Sequence, residues 1–438
     1  MQEAGAQTCH PSQSVCAGRA GIANVAKNIE DRGMLKVLAQ SWPLLLGVML
    51  LMVGNGVQGS LLGVRGAHEG FTTFELSVIM SSYFVGFLGG SRLAPEMIRR
   101  VGHVRVFSAL GSMISAVLIL FPMVLDVYAW SIFRVLIGFC FSGIYVTAES
   151  WLNNTASNET RGRALSAYMI VQMLGIIASQ GLLSLGDPTG YGLFIIPSVL
   201  VSLAFMPLLL ADTPAPTFDS IKAMSFRRLF IISPLGCVGM LLTGGIFAAM
   251  FGMASVWGAK SGLSIGQIAA FGAALYIGGL ILQYPVGWMS DRMDRRALVM
   301  WLSAAAAAVV LLAGVVKFSF TVELVVALVL GGIINPLYSL LIAHTNDYLS
   351  KEQMPAASAG LIFLNGFGAI FGPLVTGWLM GEVGARGYFL FIGALFAALA
   401  SYAAWRTTRR RSPKSTGTYT GLSPNASSLA VGAVMDKE

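Results

Sequence analysis

Twelve stretches of this chain, each about 20 residues long and nearly free of charge, set what it can fold into. They fall near 37–64, 74–95, 105–125, 128–150, 164–185 and 190–211, and then near 229–257, 267–290, 297–316, 320–345, 356–380 and 386–406. A helix needs about 20 apolar residues to cross a hydrocarbon core of about 30 Å. The pattern predicts an all-α membrane protein of twelve transmembrane helices, with the lipid bilayer as its solvent.

The overall composition agrees. Only 11% of the 438 residues are charged, whereas a water-soluble domain carries roughly 25%. The 51 glycines would be costly in water-exposed helices but suit close packing of membrane helices.

An even number of spans places both termini on one side, and the basic residues say which. If the N-terminus is cytoplasmic, 23 of the 28 Lys and Arg lie in inside segments. Arg65, Lys260, Lys317 and Arg386 fall in outside loops, and Arg134 alone sits within a span. This is the positive-inside bias, and it predicts cytoplasmic N- and C-termini. It also accounts for the net charge of +8 without a nucleic-acid partner.

The four cysteines (Cys9, Cys16, Cys140 and Cys237) are scattered, in no spacing that suggests a metal site or a disulfide framework. No metal and no cofactor are expected. Residues 1–34 read as a polar N-terminal tail without a cleavable signal pattern, and Met34 stands directly before the first apolar run as an alternative start. Residues 407–438 read as a basic, disordered tail.

The chain repeats itself once, with an offset of about 193 residues. Tyr83-x-x-Gly86 aligns with Tyr276-x-x-Gly279, the basic turn at Arg99–Arg105 with Asp291–Arg296, and Ala148-Glu149 with Ala343-His344. Two pseudo-symmetric six-helix bundles follow, 35–211 and 229–406, joined by a cytoplasmic loop over 212–228. A repeat of this kind places a binding site between the halves near the bilayer midplane.

Three motifs carry a resemblance. Gly287-Trp-Met-Ser-Asp291-Arg292-Met-Asp294-Arg295-Arg296 resembles the loop signature of the major facilitator superfamily, departing only at Asp294, where that family has Gly. Arg134-x-x-x-Gly138 resembles its fourth-helix motif. Gly366-Phe-Gly368-Ala-Ile-Phe-Gly372-Pro373-Leu-Val-Thr-Gly377 resembles its glycine-proline motif. Within the superfamily, Ser81-Ser-Tyr-Phe84, Glu149-Ser150 and Arg161-Gly-Arg163-Ala-Leu-Ser-Ala-Tyr168 look most like the bacterial YcaD-like branch. The resemblance implies a monomeric secondary transporter in the bacterial inner (plasma) membrane, and no enzyme.

Several residues could then carry the work. The resemblance makes Asp291, Arg292 and Arg295 a cytoplasmic latch, although such arginines can also merely set topology. The first-half copy is degraded, with Arg99 where the family's Asp would stand, so Glu96 or Glu149 would have to supply the carboxylate. Glu149 lies about 22 Å along the helix from Arg134, within easier reach of Arg100, Arg105 or Arg163 than of a midplane solute. It reads as a gate ion pair, a proton-coupling group or a plain interface carboxylate. His344 occupies the matching place in the second half and is the other proton-coupling candidate.

Arg134 costs at least about 2.5 kcal/mol in lipid, so it should face protein or a watery cavity, as an anion or proton partner or as an interhelical brace. The polar side chains Asn55, Gln58, Gln172, Gln283, Asn335 and Asn365 are candidates for the cavity wall, with Tyr145, Tyr276 and Tyr338 as aromatic lining. Each has a plainer alternative as helix-to-helix glue or core packing. No such polar residue lies inside spans three, six, nine or twelve, which the resemblance assigns to the lipid-facing positions.

The function expected is secondary active transport of a small-molecule substrate by alternating access, with proton coupling as its finer form. The alternative is a receptor or scaffold that binds a ligand without moving it. Deleting 412–438 separates the two, since a transporter keeps its flux and a scaffold loses its function.

Overall fold

The computed structural model describes residues 41–155, 161–210, 224–350 and 353–409. These residues form α1 (Ser41–His68), then α2 (Thr73–Val101), α3 (His103–Leu120), α4 (Val127–Thr155) and α5 (Arg161–Leu185). Next come α6 (Gly192–Ala204), α7 (Met206–Leu210), α8 (Phe226–Ile232), α9 (Pro234–Gly252) and α10 (Ala254–Lys260). The remainder is α11 (Ile265–Ser290), α12 (Arg295–Val315), α13 (Phe320–Asn346), α14 (Met354–Val383) and α15 (Arg386–Arg409). Twelve spans are long and apolar enough to cross a membrane: α1 to α5, α6 with α7, α9, and α11 to α15.

Helix boundaries follow from local chemistry. The Thr72 hydroxyl accepts from Glu75 N while the Glu75 carboxylate accepts from Thr72 N, a capping box that starts α2. Ser264 and Gln267 build the same device at the start of α11. Each satisfies two backbone donors that a helix start leaves unpaired, and the pair recurs at the repeat offset. The seventh span, read from sequence as one helix over 229–257, is interrupted twice. Ser233 caps a new start at Pro234, and the helix breaks again at Met253 between α9 and α10. Proline lacks the N–H that an uninterrupted helix needs at that position.

Within each half, paired helices meet backbone to backbone. A Cβ at Gly86 would fall on the Val135 carbonyl, and one at Gly138 on that of Tyr83, which locks α2 against α4. In the second half Gly278 meets the Leu328 carbonyl and Gly331 that of Leu275, which locks α11 against α13. The structural partner of Gly86 is therefore Gly278 and not Gly279. The Gly-Gly pair hid a one-residue slip in the sequence repeat that only the carbonyl partner resolves. Such contacts depend on van der Waals fit, since lipid gives helices no hydrophobic reason to associate. On the outer side α3 meets α6 through Ser115, whose hydroxyl bonds Ser198 and Ser202.

The two ends of the bundle differ. One, the basic end, carries the turns at Gly102 and Asp291. At the opposite end the halves meet through small residues. A Cβ at Gly63 of α1 would lie 3.0 Å from that of Ser255 on α10. Gly377 of α14 abuts Ser77 of α2, and a Cβ at Gly272 of α11 would lie 2.9 Å from Gln180 Oε1 of α5. The α2–α14 seam continues toward the basic end through Ser81, whose hydroxyl donates to the Ile370 carbonyl, and through Arg92, which lies 4.5 Å over the Phe363 ring.

Candidate functional site

Between the halves lies a cavity of about 100 Å³, with walls from α1, α2, α4 and α5 on one side and α9, α10 and α11 on the other. Its polar wall is Asn55, Ser60, Tyr83, Arg134, Gln180, Ser255 and Tyr276, and its apolar wall includes Phe84, Phe247 and Phe251. A single water needs at least 10–15 Å³ of such space, so the cavity has room for several waters or a small polar head.

Arg134 organises it. The side chain is 5% exposed. One guanidinium nitrogen donates to Gln58 Oε1 at 2.6 Å and another to Met80 Sδ at 3.7 Å. The guanidinium lies 4.7 Å over the Tyr83 ring. Among the described residues no carboxylate pairs with it, and its Nε has no hydrogen-bond partner. A desolvated cation–π contact is worth about 2 kcal/mol, which falls short of a neutralising charge. The arginine is thus braced by neutral groups, with no neutralising charge against it among the described residues.

A chain of polar groups runs from Arg134 toward the basic end. The Tyr83 hydroxyl is in reach of Asn55 and Tyr145, Asn55 Nδ2 donates to the Tyr145 hydroxyl at 3.3 Å, and that hydroxyl donates to Met52 Sδ at 3.4 Å. Beyond it sits Glu149, 1% exposed, in the neighbourhood of Tyr145, Tyr168 and Tyr338. The Tyr168 hydroxyl adjoins both Glu149 and Gln172. Gln172 and Tyr338 thus belong to the Glu149 cluster and not to the cavity wall.

Three further amides expected in the wall are elsewhere. Asn335 donates to the Gly331 carbonyl of its own helix at 2.9 Å and packs on Gly279. Asn365 donates to the Met240 carbonyl at 3.1 Å, tying α14 to α9. Both are glue inside the second half, because each meets a buried backbone carbonyl, one helix away for Asn365 and one turn back for Asn335. Gln283 lines a second space, a crevice of about 560 Å³ between α5 and α11 at the basic end. Asp291 and Arg292 line the same crevice.

At the basic end the ion pairs differ from the sequence expectation. Arg295, 2% exposed, donates to Asp347 Oδ1 at 2.6 Å, and Asp347 is 3% exposed. Asp291 stands 3.9 Å away and 40% exposed. The carboxylate that fixes the buried arginine is therefore Asp347, because α13 ends beside the first turn of α12. Arg292 folds back, donating to the Trp288 carbonyl and lying 4.2 Å over that ring. Asp294 caps α12 by accepting from Arg296 N at 2.9 Å and pairs with that side chain, which gives the departure from Gly a local role.

In the first half, Glu96 pairs with Arg99 and Arg100 at 2.7 Å on their own exposed helix face. That takes Arg100 away from Glu149. Arg105 is exposed on α3, and the side chain of Arg163 lies outside the described residues. His103 begins α3 as Arg295 begins α12, and its Nε2 meets Ser150 Oγ at 2.9 Å. His344 is buried on α13 with its ring edge-on to Tyr348.

Sequence reasoning missed Asp347, Tyr168 and Ser255. It also placed Arg65 in a loop, whereas α1 continues through it. Arg65 pairs with Glu69 at 2.7 Å and donates to the Pro188 and Thr189 carbonyls. The i, i+4 spacing of Arg65 and Glu69 was the available signal.

Comparison with known proteins agrees with this architecture. The sequence model of the Major Facilitator Superfamily matches residues 44–273 and 235–429. An uncharacterized MFS-type transporter, YcaD of Escherichia fergusonii, is 25% identical over 354 residues, covering 80% of this chain and 92% of the relative. An uncharacterized MFS-type transporter of Yersinia pestis is 27% identical over 363 residues, with the same coverage of each chain. Among solved structures, a mutant of the nucleoside transporter NupG superposes with a TM-score of 0.71 at 14% identity, over 84% of this chain and all of that one. A D-xylose-proton symporter gives 0.66 at 13% identity, over 85% and 98%. At such identities the structural likeness speaks for the fold. With the family match over both halves, the chain belongs to the major facilitator superfamily, a family of multi-pass membrane transporters and not of enzymes.

Proposed function

We propose that this chain is a secondary active transporter of a small solute carrying a carboxylate or similar anionic group, bound at Arg134 between two halves that alternate access. The halves, 35–211 and 229–406, would move as units on the 212–228 loop. Both termini would be cytoplasmic in a bacterial inner membrane, as the basic residues favour.

The observation that carries the reading is the buried guanidinium of Arg134, on the wall of a cavity between the halves, with no carboxylate partner among the described residues. At an effective dielectric near 20, a carboxylate 4 Å from it gains roughly 4 kcal/mol, and a cation loses as much. That difference selects the sign of the solute.

Proton coupling is the finer reading. Glu149 is buried among tyrosine side chains, at the end of the polar chain that starts at Arg134. A solute anion arriving at Arg134 would shift the cost of carrying charge on Glu149, so binding and protonation would be linked. Flux that persists unchanged after the pH gradient is collapsed would refute this part alone.

The test is a thermal-shift screen of small carboxylates, matched amides and amines on purified protein, followed by flux in proteoliposomes. At least one carboxylate should stabilise the protein and be transported. Arg134→Gln should weaken its binding about tenfold or more, about 1.4 kcal/mol, with Arg134→Lys intermediate because Lys keeps the charge but not the fork geometry. Stabilisation by amines alone, or unchanged carboxylate affinity in Arg134→Gln, would overturn the reading.

A further inference from the structure

The α5–α11 seam behaves differently from the α2–α14 seam. The latter is closed along its length, from Ser77–Gly377 through Ser81–Ile370 to Arg92–Phe363. The α5–α11 seam is closed where Gln180 meets Gly272, and at the basic end it parts into the crevice of about 560 Å³. The crevice opens on a face that exposes Ile170, Leu174, Ile281 and Tyr284, side chains suited to lipid and not to water.

We propose that this crevice is a binding site for a membrane phospholipid, one acyl chain lying between α5 and α11 and the headgroup resting at Asp291 and Arg292. Three observations fix the occupant. Along α11 the crevice runs from Asp291 to Leu280, about 16 Å at 1.5 Å per residue. That is close to half of the roughly 30 Å hydrocarbon core, the depth of one leaflet.

Its apolar lining includes Met169, Met173 and Leu280, and methionine adapts to an irregular, mobile chain. Its mouth presents a carboxylate and a guanidinium on consecutive residues at the end of α11. This pair matches a headgroup carrying phosphate and ammonium together, with Arg292 taking the phosphate and Asp291 the amine. A soluble solute would find no reason to enter from the side, and a protein helix of 10–12 Å diameter would need the whole seam to part.

The site does not depend on the transport reading, and its test uses no transported substrate. Trp288 lines the crevice, while Trp301 on α12 is 64% exposed and serves as the lipid-facing reference. The protein is reconstituted in bilayers with increasing fractions of brominated phosphatidylethanolamine, whose bromines quench tryptophan. Each tryptophan's signal is isolated by difference from Trp288→Phe and Trp301→Phe.

Trp288 should show a relative association constant about fivefold or more above bulk lipid, about 1 kcal/mol, and Trp301 a value near one. Arg292→Gln, an exposed change that leaves the helices intact, should lower the Trp288 value at least twofold. Filling the crevice with Met173→Phe and Ser166→Phe should bring it to that of Trp301. Equal values for the two tryptophans in the unmodified protein, no quenching of Trp288, or an unaltered value in Arg292→Gln would overturn the proposal.

Discussion

Arg295 shows how far single residues could be read. The loop signature marked Asp291, Arg292 and Arg295 as an ionic group, and an ionic group is there, yet the buried partner is Asp347 at 2.6 Å. Asp347 lies 52 residues further on, and nothing local in the sequence joins it to Arg295. Removing one member of a buried pair leaves the other charge uncompensated, at about 3–5 kcal/mol, while a half-exposed pair is worth about 0–1 kcal/mol. Asp347→Ala should therefore destabilise the protein by about 3 kcal/mol in chemical denaturation in detergent micelles, and Asp291→Ala by less than about 1 kcal/mol. The reverse order would return the latch to Asp291. The same limit explains Asn335 and Asn365: an amide in an apolar run announces that it needs a partner, not whether that partner is a neighbouring carbonyl or a solute. Arg134 was more legible because a charge is harder to satisfy within a helix pair, and among the described residues no carboxylate answers it.

At the scale of elements the sequence was easier to read, because twelve apolar runs are long signals and boundary errors of a few residues do not change them. The capping boxes Thr72-x-x-Glu75 and Ser264-x-x-Gln267 were also visible, at matching places in the repeat, and would have fixed the starts of α2 and α11. What was hidden is depth of approach. Gly86 and Gly181 are both helical glycines, but a Cβ on the first meets the Val135 carbonyl while one on the second meets nothing within 4 Å. Gly86→Ala should cost about 1–3 kcal/mol, the range for overpacking a tight contact, and lower the thermal midpoint in detergent. Gly181→Ala should be neutral or slightly stabilising, since alanine is the better helix former by about 1 kcal/mol. Equal midpoints for the two variants would mean that the α2–α4 contact has room to relax.

The whole molecule adds what neither scale contains, namely which ends of the halves touch. Sequence symmetry led to the expectation of two bundles and a site between them, but not that Gly63, Ser77, Gln180, Ser255, Gly272 and Gly377 would meet at the end opposite the basic turns. These contacts are small and mostly uncharged, so parting them breaks no buried ion pair, and the halves can separate there at modest cost. Alternating access requires that they do separate. The positions 63 and 255 offer a direct test, because their Cβ atoms would stand 3.0 Å apart, slightly under the roughly 3.5–4.5 Å of a relaxed disulfide. In a background without the four native cysteines, Gly63→Cys with Ser255→Cys should cross-link α1 to α10 under mild oxidation. Flux of the carboxylate identified by thermal shift should then stop and return when the bridge is reduced, while each single variant transports throughout. Undiminished flux with the bridge formed would mean that this end stays closed during the cycle, and the solute would need another way past Arg134.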